Sequence, residues 1–310
     1  MAVMAAPGGS RKIRLRYLAE RRGFLAALLI SPAVLFIGVL VGAPLVLAIY
    51  LSFTDATAGS LSGKWVGLAN FRQELSDPIF RGAVWHTFLF TVISQAVVII
   101  CAGLLAHALV RSFRGRWLLR FFVLLPWAAP VALTAIGFLW FYDPQASIFN
   151  WFLIHLHLVS STNPPTWLGT PRAAMSSIIT VQAWRTIPFA TVIFLAGISS
   201  IPQEVDDAAA MDGATGLKKF WYVSLPLQLP IAIVAVLFGI VFTATDMVVP
   251  YILTNGGPFN STQVLTTWAF QTGINSGNVG EGAAIALFML PVLAFVVVGM
   301  LFFARRAEVT

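Results

Sequence analysis

Arg185 and Asp246 stand inside long apolar runs, where a charge is costly and needs a partner, a water path or a ligand. Around them, Gln182, Arg185, Thr186 and Phe189 recur at i, i+3, i+4 and i+7 and so share one face of a helix. Gly239, Phe242, Thr243 and Asp246 repeat that spacing in a later run. Two facing stripes of amide, hydroxyl, guanidinium and carboxylate groups, each with an aromatic ring, suit a polyhydroxylated molecule: the polar groups bond hydroxyls and the rings cover apolar C–H faces. The same two charges can instead pair with each other to hold their helices together. Both readings stand at this point.

A second constellation is the polar stretch between those runs. It reads Ile201-Pro202-Gln203-Glu204-Val205-Asp206-Asp207-Ala208-Ala209-Ala210-Met211-Asp212-Gly213-Ala214 and ends in Val223-Ser224-Leu225-Pro226. Pro202 suits a first helical turn, and Glu204, Asp206 and Asp207 complement the positive end of a helix dipole. The small Ala208 to Ala210 keep that helix thin, Gly213 permits a left-handed stop, and residues 214 to 223 form a second helix that Pro226 ends. A helix-turn-helix is predicted.

The elements that carry these residues must be membrane spans. Of 310 residues, 58% are hydrophobic and 10% charged, and the mean hydropathy is +0.86, which excludes a water-facing globule. The unbroken apolar runs lack strand alternation, so the fold class is an all-α integral membrane protein. Runs of about 20 or more apolar residues cross the bilayer, and six occur, at 24–53, 84–110, 118–142, 173–201, 229–253 and 282–304. The first is too long for a signal peptide despite the basic residues before it. Placing both termini in the cytoplasm puts fourteen Lys/Arg inside and four outside, in accord with the positive-inside rule. The expected divisions are a basic tail over 1–23, a permease domain over 24–304 with the loop at about 202–226, and a cytoplasmic tail over 305–310.

Prolines at 32, 44, 126 and 130 should kink helices or mark their ends, and Gly38 and Gly42 form a GxxxG expected at close helix packing. Trp85, Trp117 and Trp140 fall near span ends. The outer segments 54–83, 143–172 and 254–281 are long and polar, with turn signals at Asp77-Pro78, Asn163-Pro164-Pro165 and Asn255-Gly256-Gly257-Pro258 and a short interfacial helix over 146–158. They offer a surface to something outside.

Several chemistries are disfavoured. Gly63-Lys64 is followed by Trp65 and forms no phosphate loop. His155 and His157 diverge on a helix, and His86 and His107 sit toward opposite ends of one span, which argues against a metal or an enzymatic site. Cys101 sits in an apolar run as packing. The net charge of +7 lies beside apolar runs, which is membrane-flanking charge rather than a nucleic-acid footprint.

The spacing Asp207-Ala208-Ala209, Gly213, Leu225-Pro226 resembles the EAA loop of permease subunits of binding-protein-dependent ABC importers, with Asp207 in place of glutamate. Ser31-Pro32, Ser52-Phe53-Thr54-Asp55, Val66-Gly67-Leu68-Ala69-Asn70-Phe71, Leu125-Pro126-Trp127 and Leu253-Thr254-Asn255-Gly256-Gly257-Pro258 extend the resemblance to the carbohydrate branch with MalF- and UgpA-type subunits. The resemblance implies a multi-pass subunit of a bacterial or archaeal cytoplasmic membrane that imports a sugar or sugar-like solute and is not itself an enzyme. Its implied partners are a second homologous permease, two ATPase subunits that hold ATP and Mg, an extracytoplasmic solute-binding protein, and membrane lipid. The loop residues Glu204, Asp207, Ala208, Ala209, Gly213, Leu225 and Pro226 would couple to the ATPase, and the two stripes would contact solute. Glycerol phosphate, a polyol or an oligopeptide are alternative cargoes under the same role. An ion-coupled secondary transporter is a rival, although it would need a relay of intramembrane carboxylates and Asp246 is the one mid-span acid.

Overall fold

The computed structural model describes residues 22–60 and 62–308. Most of the basic tail expected over 1–23 therefore lies outside the described residues, as do residues 309 and 310. Among the described residues the chain is helical, and strand pairing is confined to two isolated bridges, Thr54 with Trp65 and Thr57 with Ser60.

The first span combines α1 (Arg22–Ile37), a π-helical turn (Gly38–Gly42) and α2 (Ala43–Ser52). The segment that follows carries α3 (Ala69–Ser76), and the second span is α4 (Pro78–Val110). The expected start of that span at 84 is corrected by a full turn and more. Asp77 caps α4 by accepting from the Ile79 N–H at 2.6 Å, and Pro78 occupies the first turn, so Asp77-Pro78 starts a helix instead of making a turn. At about 1.5 Å per residue, the 33 residues of α4 exceed the hydrocarbon thickness and project beyond it.

The third expected span is not one helix. Its halves, α5 (Arg116–Ala128) and α6 (Val131–Tyr142), meet at 100°. Pro130 has no N–H to donate and restricts Ala129 to extended backbone, which accounts for the break at that point. Neither half alone reaches across about 30 Å. The interfacial helix is α7 (Ile148–His155), capped by Ser147 accepting from the Asn150 N–H at 3.1 Å. The fourth span is α8 (Pro171–Ser199).

The polar loop contains α9 (Gln203–Met211) and α10 (Gly216–Lys219). Pro202 is the N-cap of α9 and not its first helical residue. A π-helical turn (Phe220–Ser224) then joins α10 directly to α11 (Leu225–Ala244), so Pro226 does not end the second loop helix. The same device appears in the first span: a π-helical turn ends two residues before Pro44, as this one ends two residues before Pro226. Widening the turn accommodates a ring that would clash with the carbonyl four residues back, and the helix continues.

The fifth span ends at Ala244, short of the expected 253. A break over 245–247 separates it from α12 (Val248–Thr254), which is apolar enough to read as more span. Beyond lie α13 (Leu265–Phe270), a further π-helical turn (Gln271–Asn275), and α14 (Val279–Glu308) as the last span. The helix α14 runs through most of the expected C-terminal tail.

The core is built on α4 and α8, which lie against each other along much of their length. One apolar cluster joins Phe90, Phe138, Ile178, Val181, Val249 and Leu253, and another joins Val98, Ala102, Ala190, Phe194 and Ala235. The first and last spans are peripheral, with 6% of their most apolar windows buried against 56% for α8. Gly38 and Gly42 correct a further expectation: a Cβ at Gly38 would meet nothing within 4 Å, and one at Gly42 only its own helix, so no described helix packs on that GxxxG.

Candidate functional site

Two candidate sites lie at the two ends of the α10–α11 rod. At the N-terminal end of this rod, the loop is folded on itself. Gly213 has φ +73, the left-handed conformation its lack of Cβ permits, and the Ala214 N–H returns to the Ala209 carbonyl at 2.8 Å. Lys219 Nζ of α10 pairs with Asp206 Oδ2 of α9 at 2.9 Å, closing the two helices on each other. Ala209 and Ala214 are buried between them. The outward face carries Glu204, Asp207, Ala208 and Gly213, all exposed, and Met211 at 89% exposure. Gln203 Nε2 donates to Asp207 Oδ1 at 3.1 Å, which holds that carboxylate on the surface. Leu225 is half-buried and Pro226 exposed, one π-helical turn away on the same rod.

At the other end, the two predicted stripes come together and divide into a buried part and an open part. Gln182, Thr186, Gly239 and Thr243 are all buried. Gln95 of α4, which the sequence reading did not single out, inserts between them: its Nε2 donates to the Gly239 carbonyl at 2.9 Å and to Thr243 Oγ1 at 2.8 Å. A Cβ on Gly239 would lie 2.1 Å from Gln95 Oε1, so any larger residue there would push that amide off its present position. Gln182 Nε2 donates to Thr243 Oγ1 at 3.3 Å, and Thr186 Oγ1 donates to the Gln182 carbonyl. These bonds cross-link α4, α8 and α11 in a medium that offers no water to unpaired groups.

The open part holds the charges. Arg185 Nη2 is bonded to Asp246 Oδ2 and donates to Gln182 Oε1 at 3.2 Å. Asp246 sits in the break after α11, where its Oδ1 accepts from the Val249 N–H at 3.0 Å and so also caps α12. Arg185 Nε is buried with no partner among the described residues. Beside the pair opens a cavity of about 420 Å³ lined by Trp127, Arg185, Phe242, Thr245, Asp246 and Met247 among others. Its aromatic wall is Trp127 and Phe242, with ring centroids 5.8 Å apart; Phe189 does not line the cavity but packs against both rings, at 5.0 Å from Trp127 and 5.5 Å from Phe242. Trp127 enters from the end of α5, just before the 100° bend. A solitary amide in an apolar run was the available signal for Gln95; nothing in the spacing of Trp127 links it to the other two helices.

Residues 99–309 match the model of the family described as "Binding-protein-dependent transport system inner membrane component". The trehalose/maltose transport system permease protein MalF of Thermococcus litoralis is 32% identical over 287 residues, 92% of this chain and 94% of that one. The sulfoquinovosyl glycerol transport system permease protein SmoG of Agrobacterium fabrum is 30% identical over 266 residues, 86% of this chain and 85% of that one. Among solved structures, a bacterial ABC transporter involved in import of the acidic polysaccharide alginate superposes with a TM-score of 0.78 at 20% identity, covering 94% of this chain and 99% of that one.

Proposed function

The chain belongs to the family of binding-protein-dependent transport system inner membrane components, and on that premise we propose that it is a permease subunit of an ABC importer that passes a carbohydrate inward. The observation that carries the cargo class is the cavity of about 420 Å³ in which an ion pair and an aromatic wall face the same space. A sugar offers hydroxyls to the first and C–H faces to the second. The relatives named for trehalose/maltose and for sulfoquinovosyl glycerol support the same class. Asp246 already neutralises Arg185, which weighs against a free phosphate-bearing cargo that would need the guanidinium for itself. Arg185 Nε still lacks an acceptor, and a solute hydroxyl would supply one.

The exposed face of the loop, with Glu204, Asp207, Ala208 and Met211, is the surface we assign to a separate ATPase subunit. Hydrolysis of ATP with Mg would occur on that partner. A second permease chain and an external solute-binding protein complete the assembly, with both termini of this chain in the cytoplasm.

Solute uptake by assembled complexes of known amount tests the cavity. Removing one member of the Arg185–Asp246 pair leaves a buried charge uncompensated, so Arg185→Gln and Asp246→Asn alone should each impair assembly. The double variant removes both charges. It should assemble normally yet lose sugar uptake if the pair contacts solute; near-normal uptake by the double variant would reduce the pair to a helix clamp.

A further inference from the structure

A second cavity, of about 320 Å³, opens between α4, α5 and α8 at the level where α4 and α8 end. Its walls are mostly apolar, with Leu109 from the last turn of α4, Val123 and Leu124 from α5, and Val192 and Leu195 from α8, beside the hydroxyl residues Thr191 and Ser199. Arg120, exposed on α5, is the one charged residue lining it. Arg111, Arg114 and Arg116 lie in the short connection from α4 to α5 and at its end, all within ten residues of Arg120. None of the three helices that build the cavity contains a carboxylate: no Asp or Glu occurs from Pro78 to Tyr142 or from Pro171 to Gln203. Asp206, the nearby acid of α9, is bound to Lys219. Arg111, Arg114 and Arg120 make no ion pair among the described residues, and Arg116 Nη1 reaches only the Val110 carbonyl, at 3.5 Å.

We propose that this cavity binds an anionic phospholipid, with one acyl chain in the slot between α5 and α8 and the phosphate against Arg120. Each half of the site argues for one half of the ligand. Arg120 apart, the polar lining of the slot is limited to the hydroxyls of Thr191, already donated to the Ile187 carbonyl, and Ser199, too little to hold a free anion in place, and an arginine cluster whose nearby acid is already paired favours a lipid of net negative charge over a zwitterionic one. The depth is right as well. Leu109 and Ser199 are at the ends of their helices, and Trp117, 74% exposed on the first turn of α5, is the kind of side chain that settles at the headgroup boundary. The α5 bound at this site is the segment that delivers Trp127 to the solute cavity at its other end.

The test uses the full chain in non-ionic detergent, with lipid retention followed by native mass spectrometry during titration with phosphatidylglycerol, phosphatidylcholine or inorganic phosphate. Wild type should retain phosphatidylglycerol selectively. Losing one arginine near the surface should weaken that retention roughly fivefold in Arg120→Gln, while Arg120→Lys keeps most of it. Ala196→Phe, which adds bulk to an exposed lining position, should also lower retention with all four arginines intact. The pair Arg305→Gln with Arg306→Gln, basic residues at a different helix end, should have no effect. Equal loss in that pair and in Arg120→Gln would mean general attraction and overturn the site. So would equal retention of phosphatidylcholine, displacement by inorganic phosphate, or an unchanged Ala196→Phe. Should Arg120→Gln fail to insert, Arg120→Lys and Ala196→Phe decide the matter. In assembled complexes, a photo-crosslinker at position 196 should capture lipid; capture of a protein chain in its place would make the slot a subunit interface and refute the proposal.

Discussion

Glu74 shows how one buried side chain can tie stability to pH. On α3 it is 2% exposed and accepts from Trp268 Nε1 at 3.0 Å. Burial pushes its carboxyl up from 4.5 to about 7, with Glu281 and Asp77 adding repulsion in the same direction. Its folded value exceeds the unfolded one, so the folded state binds more protons and loses stability as pH rises from about 4.5 through about 7. Glu74→Gln keeps an acceptor for Trp268 and removes the buried charge. It should raise the thermal midpoint in detergent at pH 8, by about 1–3 kcal/mol of stability, and change little at pH 5. A gain that is larger at pH 5 than at pH 8 would contradict this account. Residue-scale legibility was uneven in the solute site. The i, i+3, i+4, i+7 pattern found the faces of α8 and α11 that meet, because helical periodicity is local. It did not separate buried Gln182 and Thr243 from accessible Arg185 and Phe242, because the third wall is Gln95, far away in sequence.

At the scale of elements, the loop is the part most readable in advance. Acidic residues, a run of alanines and a glycine each specify a helix start, a thin helix and a stop, and the structure has all three between Gln203 and Gly213. Proline was harder to read. Pro226 looks like a terminator, yet the π-helical turn before it carries the helix through, whereas Pro130 does break its span. The difference depends on whether the preceding turn can widen, which single-residue propensity does not encode. A Cβ at Gly213 would meet nothing within 4 Å, so substitution there costs backbone conformation rather than space. Gly213→Val should therefore disturb the turn by roughly 1–2 kcal/mol and abolish solute-stimulated ATPase activity of the assembled complex while the spans still insert. Gly213→Asn should be milder, since asparagine tolerates left-handed backbone. Full stimulation with Gly213→Val would remove the loop from the coupling path.

For the whole molecule, five of the six expected spans were legible as helices long enough to cross, while the sixth is a pair of short helices bent by 100°, and the shapes were not legible. Apolar length counts crossings, but α12 is apolar without continuing α11, and the 100° bend between α5 and α6 leaves no mark on hydropathy. The topology has a direct check. With Cys101 replaced by alanine, single cysteines at Ser60 and Thr215, both exposed, should react with a membrane-impermeant maleimide from opposite sides of the membrane. Reaction of both from outside would be fatal to the proposed orientation. The unbroken path from α10 through the π-helical turn to Ala244 spans roughly 40 Å and ends two residues from Asp246. A rod of this kind carries influence in both directions. If the loop docks on the proposed ATPase, whatever factor that docking imposes on solute affinity at one end, occupied solute must impose on ATPase affinity at the other. Weak cargo binding measured with the loop unoccupied would thus be the thermodynamic counterpart of a loop that grips harder once cargo arrives.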